Sequence, residues 1–408
     1  MLIEFIVKNF RSMKGETTFS LLASKDNLHE DNLIINNALK KDRLLKSAVI
    51  YGANASGKSN VLIALNTMKS IITNSHRYQQ GEELNYQPFK LDPECNEEPT
   101  EFNMVFIKND IQYNYGFSYD SSRIINETLY WYPRGKKALV FSRKNTNEYK
   151  FTEDKKKQTF FSERTPENVL YLSRATQLNY EITKEPIDWF ISDLRIILAT
   201  DHPGLNVFTN SMIDDEKSKR KILKALEAAD VGIDDIRSER VKLKGEELPE
   251  NIPMEIKEII AKSEQTRITT IHNGVKFDFN SDESDGTRRL YALIGPIIEA
   301  IENDRVLVID EIDTKLHHLL NVFIIRLFHS PDNDRSQLIF NTHNTNLLDR
   351  DLFRRDQIWF TEKDPSSGET DLYSLLEFRP RNDANIQKGY LAGRYGALPV
   401  IKTRGFLT

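Results

Sequence analysis

VIYGANASGKSNVLIAL, residues 49–65, passes from β-branched apolar residues through a loop of small residues into an apolar pattern at helical spacing. The order of strand, loop and helix decides the fold class. Gly52 to Ser59 match G-x-x-x-x-G-K-S, a loop whose small residues let backbone N–H groups converge on phosphate oxygens. The helix that follows adds the positive end of its dipole. Asn54, Ala55, Ser56 and Gly57 then form the cradle, with Asn60 in the first helical turn. Lys58 is the partner expected for the β- and γ-phosphates, and the Ser59 hydroxyl is a ligand expected for magnesium. A Gly-rich turn can arise here by chance, but the flanking strand and helix texture favours the phosphate loop. Val61, Leu62, Leu65, Met68 and Ile72 carry the helix from Lys58 to about Ile72.

Upstream, LIEFIVKNF alternates with a period of two and TTFSLLA resumes the alternation after a turn, which predicts a strand pair. Downstream, from about Phe89 to Phe151, EFNMVFI, IQYNYGFSY, ETLYWY, ALVFSR and EYKF are short, aromatic and separated by turn residues, as in an antiparallel sheet. Helical patterns dominate from about 166 to 265, including EPIDWFISDLRIIL, KRKILKALEAA and MEIKEIIAK. Parallel-strand texture returns in RVLVIDEID and SQLIFNTH, and the tail carries GYLAGRYGALP. With 408 residues and 39% hydrophobic content the chain can build two or three packing units. One cysteine, Cys95, excludes an internal disulfide framework and a thiolate zinc site, and fits a cytoplasmic protein. No run approaches about 18 uninterrupted apolar residues, so no membrane span or membrane partner is expected. A formal charge of −5 leaves only local basic patches for nucleic acid.

The partners of Lys58 decide the class. VLVIDEID ends four apolar residues in two carboxylates, as expected of a buried parallel strand that delivers Asp310 to magnesium at its C-terminal edge. Glu311 then stands where water attacks the γ-phosphate, as general base or water-positioning group. A solvated strand end would look the same alone, but QLIFNTHN also ends in a polar type, His343, placed to sense the γ-phosphate. Ser284, Asp285, Gly286 and Thr287 precede a helix marked by Leu290, Leu293, Ile294, Ile297, Ile298 and Ile301. They are either an ordinary helix cap or a second anion site whose hydroxyls and N–H groups face a phosphate from another subunit.

With these residues in place the chain resembles the ABC-class ATPases, in the soluble branch of SMC-like proteins, RecF and the OLD-like and RloA/AbiL-like ATPases of bacterial phage defence. GANASGKS is similar to their Walker A motif, SDGTRR to the signature, VLVIDEID to Walker B, DTKLHH to the D-loop and NTHN to the His switch. IEFIVKNFRSMKGE resembles the opening strands of that branch, which implies that Arg11 approaches the nucleotide. YQPFKLDPECNEEPTEFNMVF and GYLAGRYGALPVI look most like the RloA/AbiL-like proteins. The signature departs from the transporter pattern in reading S-D-G, and no stretch stands out as a Q-loop, Gln87 being a weak match to its glutamine.

The resemblance implies an α/β fold: a P-loop NTPase head of ABC type with an N-terminal antiparallel β lobe. A helical insertion, 166–265, would separate head segments 1–165 and 266–408. It further implies ATP and Mg2+ as cofactors and a homodimer or higher oligomer with ATP sandwiched between heads, Ser284 and Gly286 completing the partner's site. Lys58, Glu311 and His343 are then the catalytic set, and Ser59 and Asp310 the metal ligands. The function expected is an ATPase switch in anti-phage defence (abortive infection), acting on an effector such as a nuclease encoded nearby, with DNA or a phage-derived molecule as trigger. A RecF- or SMC-like role in DNA repair is the alternative; KSKRKILK and RRD near Arg354 are basic, but such runs are more often solvated helix faces, and the aromatic interleaving expected for single strands is absent. Arg394 and Tyr395 would either face a partner or, with Tyr390, Leu391 and Leu398, pack on their own domain.

Overall fold

A computed structural model describes residues 1–199, 202–242, 264–381 and 383–399. The chain forms two compact units, one of residues 1–198, 300–313 and 324–408, the other of residues 199–299 and 314–323. The MEIKEIIAK pattern lies outside the described residues.

In the first unit the expected strand pair forms, Leu2–Lys8 running antiparallel to Thr17–Ser20. It continues into a seven-stranded antiparallel sheet through Thr100–Lys108, Ile111–Tyr119, Ile124–Trp131, Ala138–Lys144 and Glu148–Phe151. These strands bury one aromatic face, including Phe5, Phe102, Phe106 and Tyr115. A second sheet has six strands in the order Leu194–Ile197, Val306–Ile309, Gln337–Asn341, Ser47–Gly52, Ile358–Lys363 and Thr370–Ser374. Its first five strands are parallel, and the last returns antiparallel as a hairpin. Near-continuous apolar runs such as Val306–Ile309, every residue buried, suit a strand covered on both faces. The helix Lys58–Asn74 contributes Val61, Leu65, Met68 and Ile72 to one core shared with both sheets.

The segment read as helical through EPIDWFISDLRIIL divides. The helix Glu181–Asp188 ends in a π-helical turn, Trp189–Asp193, and Leu194–Ile197 is a strand paired with Val306–Ile309. Helical spacing fitted the apolar residues locally. Ladder hydrogen bonds with a strand more than a hundred residues away override it for LRII, while Trp189 and Phe190 are fully buried in the turn. Among the described residues three more helices fall within 166–265, Tyr171–Gln177, His202–Met212 and Glu216–Ala228, and so does a strand, Asp235–Lys242.

The second unit contains a three-stranded antiparallel sheet, Asp235–Lys242, Glu264–His272 and Val275–Asp278. It also contains the start of the helix Asp285–Glu302, on which Tyr291 Oη donates to Asn210 Oδ1 at 2.9 Å. Among the described residues no helix is long and apolar enough to cross a membrane.

The tail of the first unit folds inward. Tyr390 and Tyr395 stack on Phe360, with ring centroids 5.3 and 6.0 Å apart. Tyr395 is buried whereas Arg394 and Leu391 are exposed, so the aromatic half of the expected interface packs on its own domain.

Candidate nucleotide site

Parallel register aligns the C-terminal ends of four strands. Asn341 lies opposite Ile50, Thr361 opposite Gly52, and Ile309 opposite Phe340, so Gly52, Asp310, Asn341 and Thr361 emerge along one sheet edge. In open α/β sheets that edge is where ligands bind. The loop that leaves it, Ala53–Gly57, is exposed at Asn54 and Ala55 and buried at Ser56 and Gly57. Ala55 at φ 63° and Gly57 at φ 109° hold left-handed backbone, the conformation that turns successive N–H groups to one side.

Two glycines are required by what surrounds them. A Cβ on Gly52 would stand 2.4 Å from Thr361 Oγ1, and one on Gly57 would stand 2.3 Å from Thr370 Oγ1. Thr361 also meets Ser56 Oγ at 2.6 Å, and Thr370 Oγ1 donates to the Ser56 carbonyl at 2.8 Å. The hairpin Ile358–Ser374 therefore braces the phosphate loop through two buried threonines. Neither was singled out from the sequence, because a threonine in a strand reads as ordinary β texture.

Lys58 is buried, and its ammonium donates to the Gly52 and Ala53 carbonyls at 2.9 and 3.0 Å. Burial lowers its pKa to about 8, against the charges of Glu311, Asp310 and Asp313, which raise it. Ser59 Oγ donates to Asp310 Oδ1 at 2.9 Å, which brings a hydroxyl and a carboxylate from opposite ends of the chain to one point. This donor set fits magnesium. It consists of hard oxygens and only one or two protein ligands, the rest of an octahedron being left for phosphates and water. Glu311 has φ 52°, a left-handed conformation that costs a residue with a side chain about 1–2 kcal/mol.

Asn341 holds this arrangement and is a third residue that the sequence reading did not single out. It is fully buried, donates from Nδ2 to Asp310 Oδ1 at 2.5 Å and accepts the Glu311 N–H on Oδ1 at 2.6 Å. The one available signal was an amide closing the apolar run QLIF. His343 is exposed, and its backbone N–H donates to Asp313 Oδ2 at 3.3 Å. Although the residue is exposed as a whole, its ring is partly desolvated, and that desolvation with the Lys58 charge lowers the imidazole pKa against Asp313, Glu311 and Asp310, which raise it.

Arg11 reaches the far side of the loop. Its Nε donates to Gln87 Oε1 at 2.7 Å and its Nη1 to Asn60 Oδ1 at 3.1 Å. Asn60 in turn donates to Ser12 Oγ at 2.7 Å, and Thr370 Oγ1 meets the same Ser12 oxygen at 2.8 Å. The first unit thus brings together Arg11, the loop, Asp310, Glu311 and His343.

Ser284 and Gly286 belong to the second unit. Ser284 Oγ accepts the Thr287 N–H at 3.1 Å, an N-cap of the helix that starts at Asp285. A Cβ on Gly286 would lie 3.1 Å from the Lys315 carbonyl. Asp285, the departure from the transporter signature, bonds Lys315 Nζ at 2.8 Å and also pairs with Arg288. Hydrogen bonds from Lys315 and Arg288 lower its pKa to about 2. Lys315 follows Asp313 and Thr314 in DTKLHH, so the unusual aspartate is matched by a cation of that loop.

Comparison with known proteins adds the following. A family model described as "AAA domain, putative AbiEii toxin, Type IV TA system" matches residues 47–349. No curated protein matches the chain. Three solved structures align over most of it: an SMC head bound to the C-winged helix domain of ScpA, the SMC head domain from Thermotoga maritima, and an SMC head with an extended coiled coil bound to the C-terminal domain of ScpA derived from Pyrococcus furiosus. The first is 14% identical with a TM-score of 0.46, covering 93% of this chain and 99% of that one. The second is 14% identical at 0.43, covering 91% and 98%. The third is 13% identical at 0.45, covering 93% and 99%. With its phosphate loop, its strand-borne acidic pair and its terminal histidine all inside the matched span, the chain belongs to this AAA-domain family.

Proposed function

We propose that the chain is a magnesium-dependent ATPase whose nucleotide cycle acts as a switch in bacterial anti-phage defence, controlling a separate effector such as a nuclease. The observation that carries the enzymatic part is the convergence of Lys58, Ser59, Asp310 and Glu311 on one sheet edge, with Ser59 and Asp310 in direct contact at 2.9 Å. Lys58 would leave its two loop carbonyls and bind the β- and γ-phosphate oxygens. Magnesium, held by Ser59 and Asp310, would neutralise charge on those oxygens. Glu311 would accept the proton of the attacking water as its oxygen bonds the γ-phosphorus and ADP departs with the electrons of the broken P–O bond. His343 would report on the γ-phosphate.

Ser284 and Gly286 would complete the site of a second copy. The test mixes Lys58→Ala with Gly286→Trp. Each variant alone should be inactive, and their mixture should recover at most one composite site per dimer. Full wild-type turnover in the mixture refutes the shared site. The defence role is tested by whether Lys58→Ala abolishes phage protection together with release of the neighbouring gene product.

The DNA-repair alternative leans on basic stretches that have internal partners. Arg354 is buried and bound to Asp356 at 2.8 Å and to the Asp26 carbonyl at 2.9 Å, and Lys219 pairs with Asp235 at 2.7 Å. Salt-dependent DNA binding by the purified protein would nevertheless favour that alternative.

A further inference from the structure

We infer that Asn341 is a positioning residue of this ATPase centre, one buried amide that sets the metal-binding carboxylate and the backbone of the proposed base at the same time. The inference rests on the ATPase assignment above for its meaning, although its geometry does not.

Asn341 is the last residue of a fully buried strand flanked in parallel by Val306–Ile309 and Ser47–Gly52. Its neighbours fix which way its amide faces. The Glu311 backbone nitrogen can only donate, so the Asn341 oxygen must face it, and the NH2 group must face Asp310. Asp310 Oδ1 thereby receives two donors, Ser59 Oγ and Asn341 Nδ2, which together fix the carboxylate's rotation. On the other side, the bond to Glu311 N–H secures a left-handed residue, and that backbone conformation sets where the Glu311 side chain starts. A ligand-orienting amide of this kind commonly contributes about 10- to 100-fold in metal affinity or activity. Here two functions depend on one side chain, so both should fail together.

The test uses the full chain with two substitutions, Asn341→Leu, close in volume without polar atoms, and Asn341→Ser, whose hydroxyl can meet one partner. Asn341→Leu is expected to lower kcat by about 10- to 100-fold with KM for ATP within about threefold of wild type. Mn2+ affinity of the ADP complex, read by electron paramagnetic resonance, should weaken by about tenfold or more. Asn341→Ser should recover part of both. Hydrogen exchange on nucleotide-free wild type supplies a readout independent of activity and of variant folding: the Glu311 amide should be protected despite lying in a loop. Free exchange of that amide overturns the inference. So do wild-type kcat and Mn2+ affinity in Asn341→Leu, or a loss of melting temperature in both variants with no recovery by serine. If Lys58→Ala binds ATP as tightly as wild type, the ATPase assignment fails instead, and a protected Glu311 amide would then leave Asn341 a structural clamp only.

Discussion

Lys58→Met should stabilise the first unit at pH 7 while abolishing nucleotide binding. The folded pKa of Lys58 falls from the ordinary 10.5 to about 8 because burial disfavours the charged form. At about 1.36 kcal/mol per tenfold change in proton affinity, holding this ammonium charged costs the fold at most about 3.4 kcal/mol. The loop is exposed at Asn54 and Ala55, and solvent screening there brings the cost to about half. Methionine removes that cost but also the bonds to the Gly52 and Ala53 carbonyls, about 0.5 kcal/mol net if water replaces them. The balance is about 1 kcal/mol of stabilisation. The sign with pH follows. The unfolded chain binds the extra proton between pH 8 and 10.5, so the wild type gains stability as pH rises through that window. Lys58→Met should lack the gain. Urea unfolding followed by tryptophan fluorescence is a suitable assay, since Trp131, Trp189 and Trp359 all lie in the unit that holds Lys58. A rise in midpoint of about 0.3 M at pH 7, vanishing above pH 10, is expected for a slope of about 3 kcal/mol/M. A variant destabilised by 1 kcal/mol or more at pH 7 would refute a desolvated, loop-bound lysine.

In the wild type, ATP affinity should weaken above pH 8, approaching about tenfold per pH step, with proton uptake visible by calorimetry in two buffers at pH 8.5. Glu311→Gln should bind ATP normally, lower turnover by about 100-fold or more and accumulate a dimer by light scattering; wild-type turnover would remove Glu311 as base. Gly57→Ala, forced to φ 109° against Thr370, should lose ATP binding and about 1–3 kcal/mol of stability in thermal unfolding. Arg143→Met leaves the Glu127 carboxylate buried without its cation partner 3.9 Å away, and should cost about 3–5 kcal/mol without changing ATP affinity in the folded fraction.

The sequence alone determined the parts of this protein whose physics is local. Phosphate cradling needs small residues next to a helix start, so Gly52 to Ser59 announce themselves. A buried parallel strand needs consecutive apolar residues, so VLVI and QLIF do too, and an antiparallel sheet shows its period of two in the opening strand pair and again from Thr100 to Phe151. The tertiary structure decided what depends on distant partners. LRII is a strand only because Val306–Ile309 supplies its ladder. Ser59 meets Asp310 across 251 residues, and Ser56 meets Thr361 across 305. Thr361, Thr370 and Asn341 are common polar residues with no motif of their own. They acquire a role only when the parallel register sets Thr361 beside Gly52 and Asn341 beside Asp310, because a hydrogen bond is specified by where two groups end up in space and not by how either is spelled in the chain.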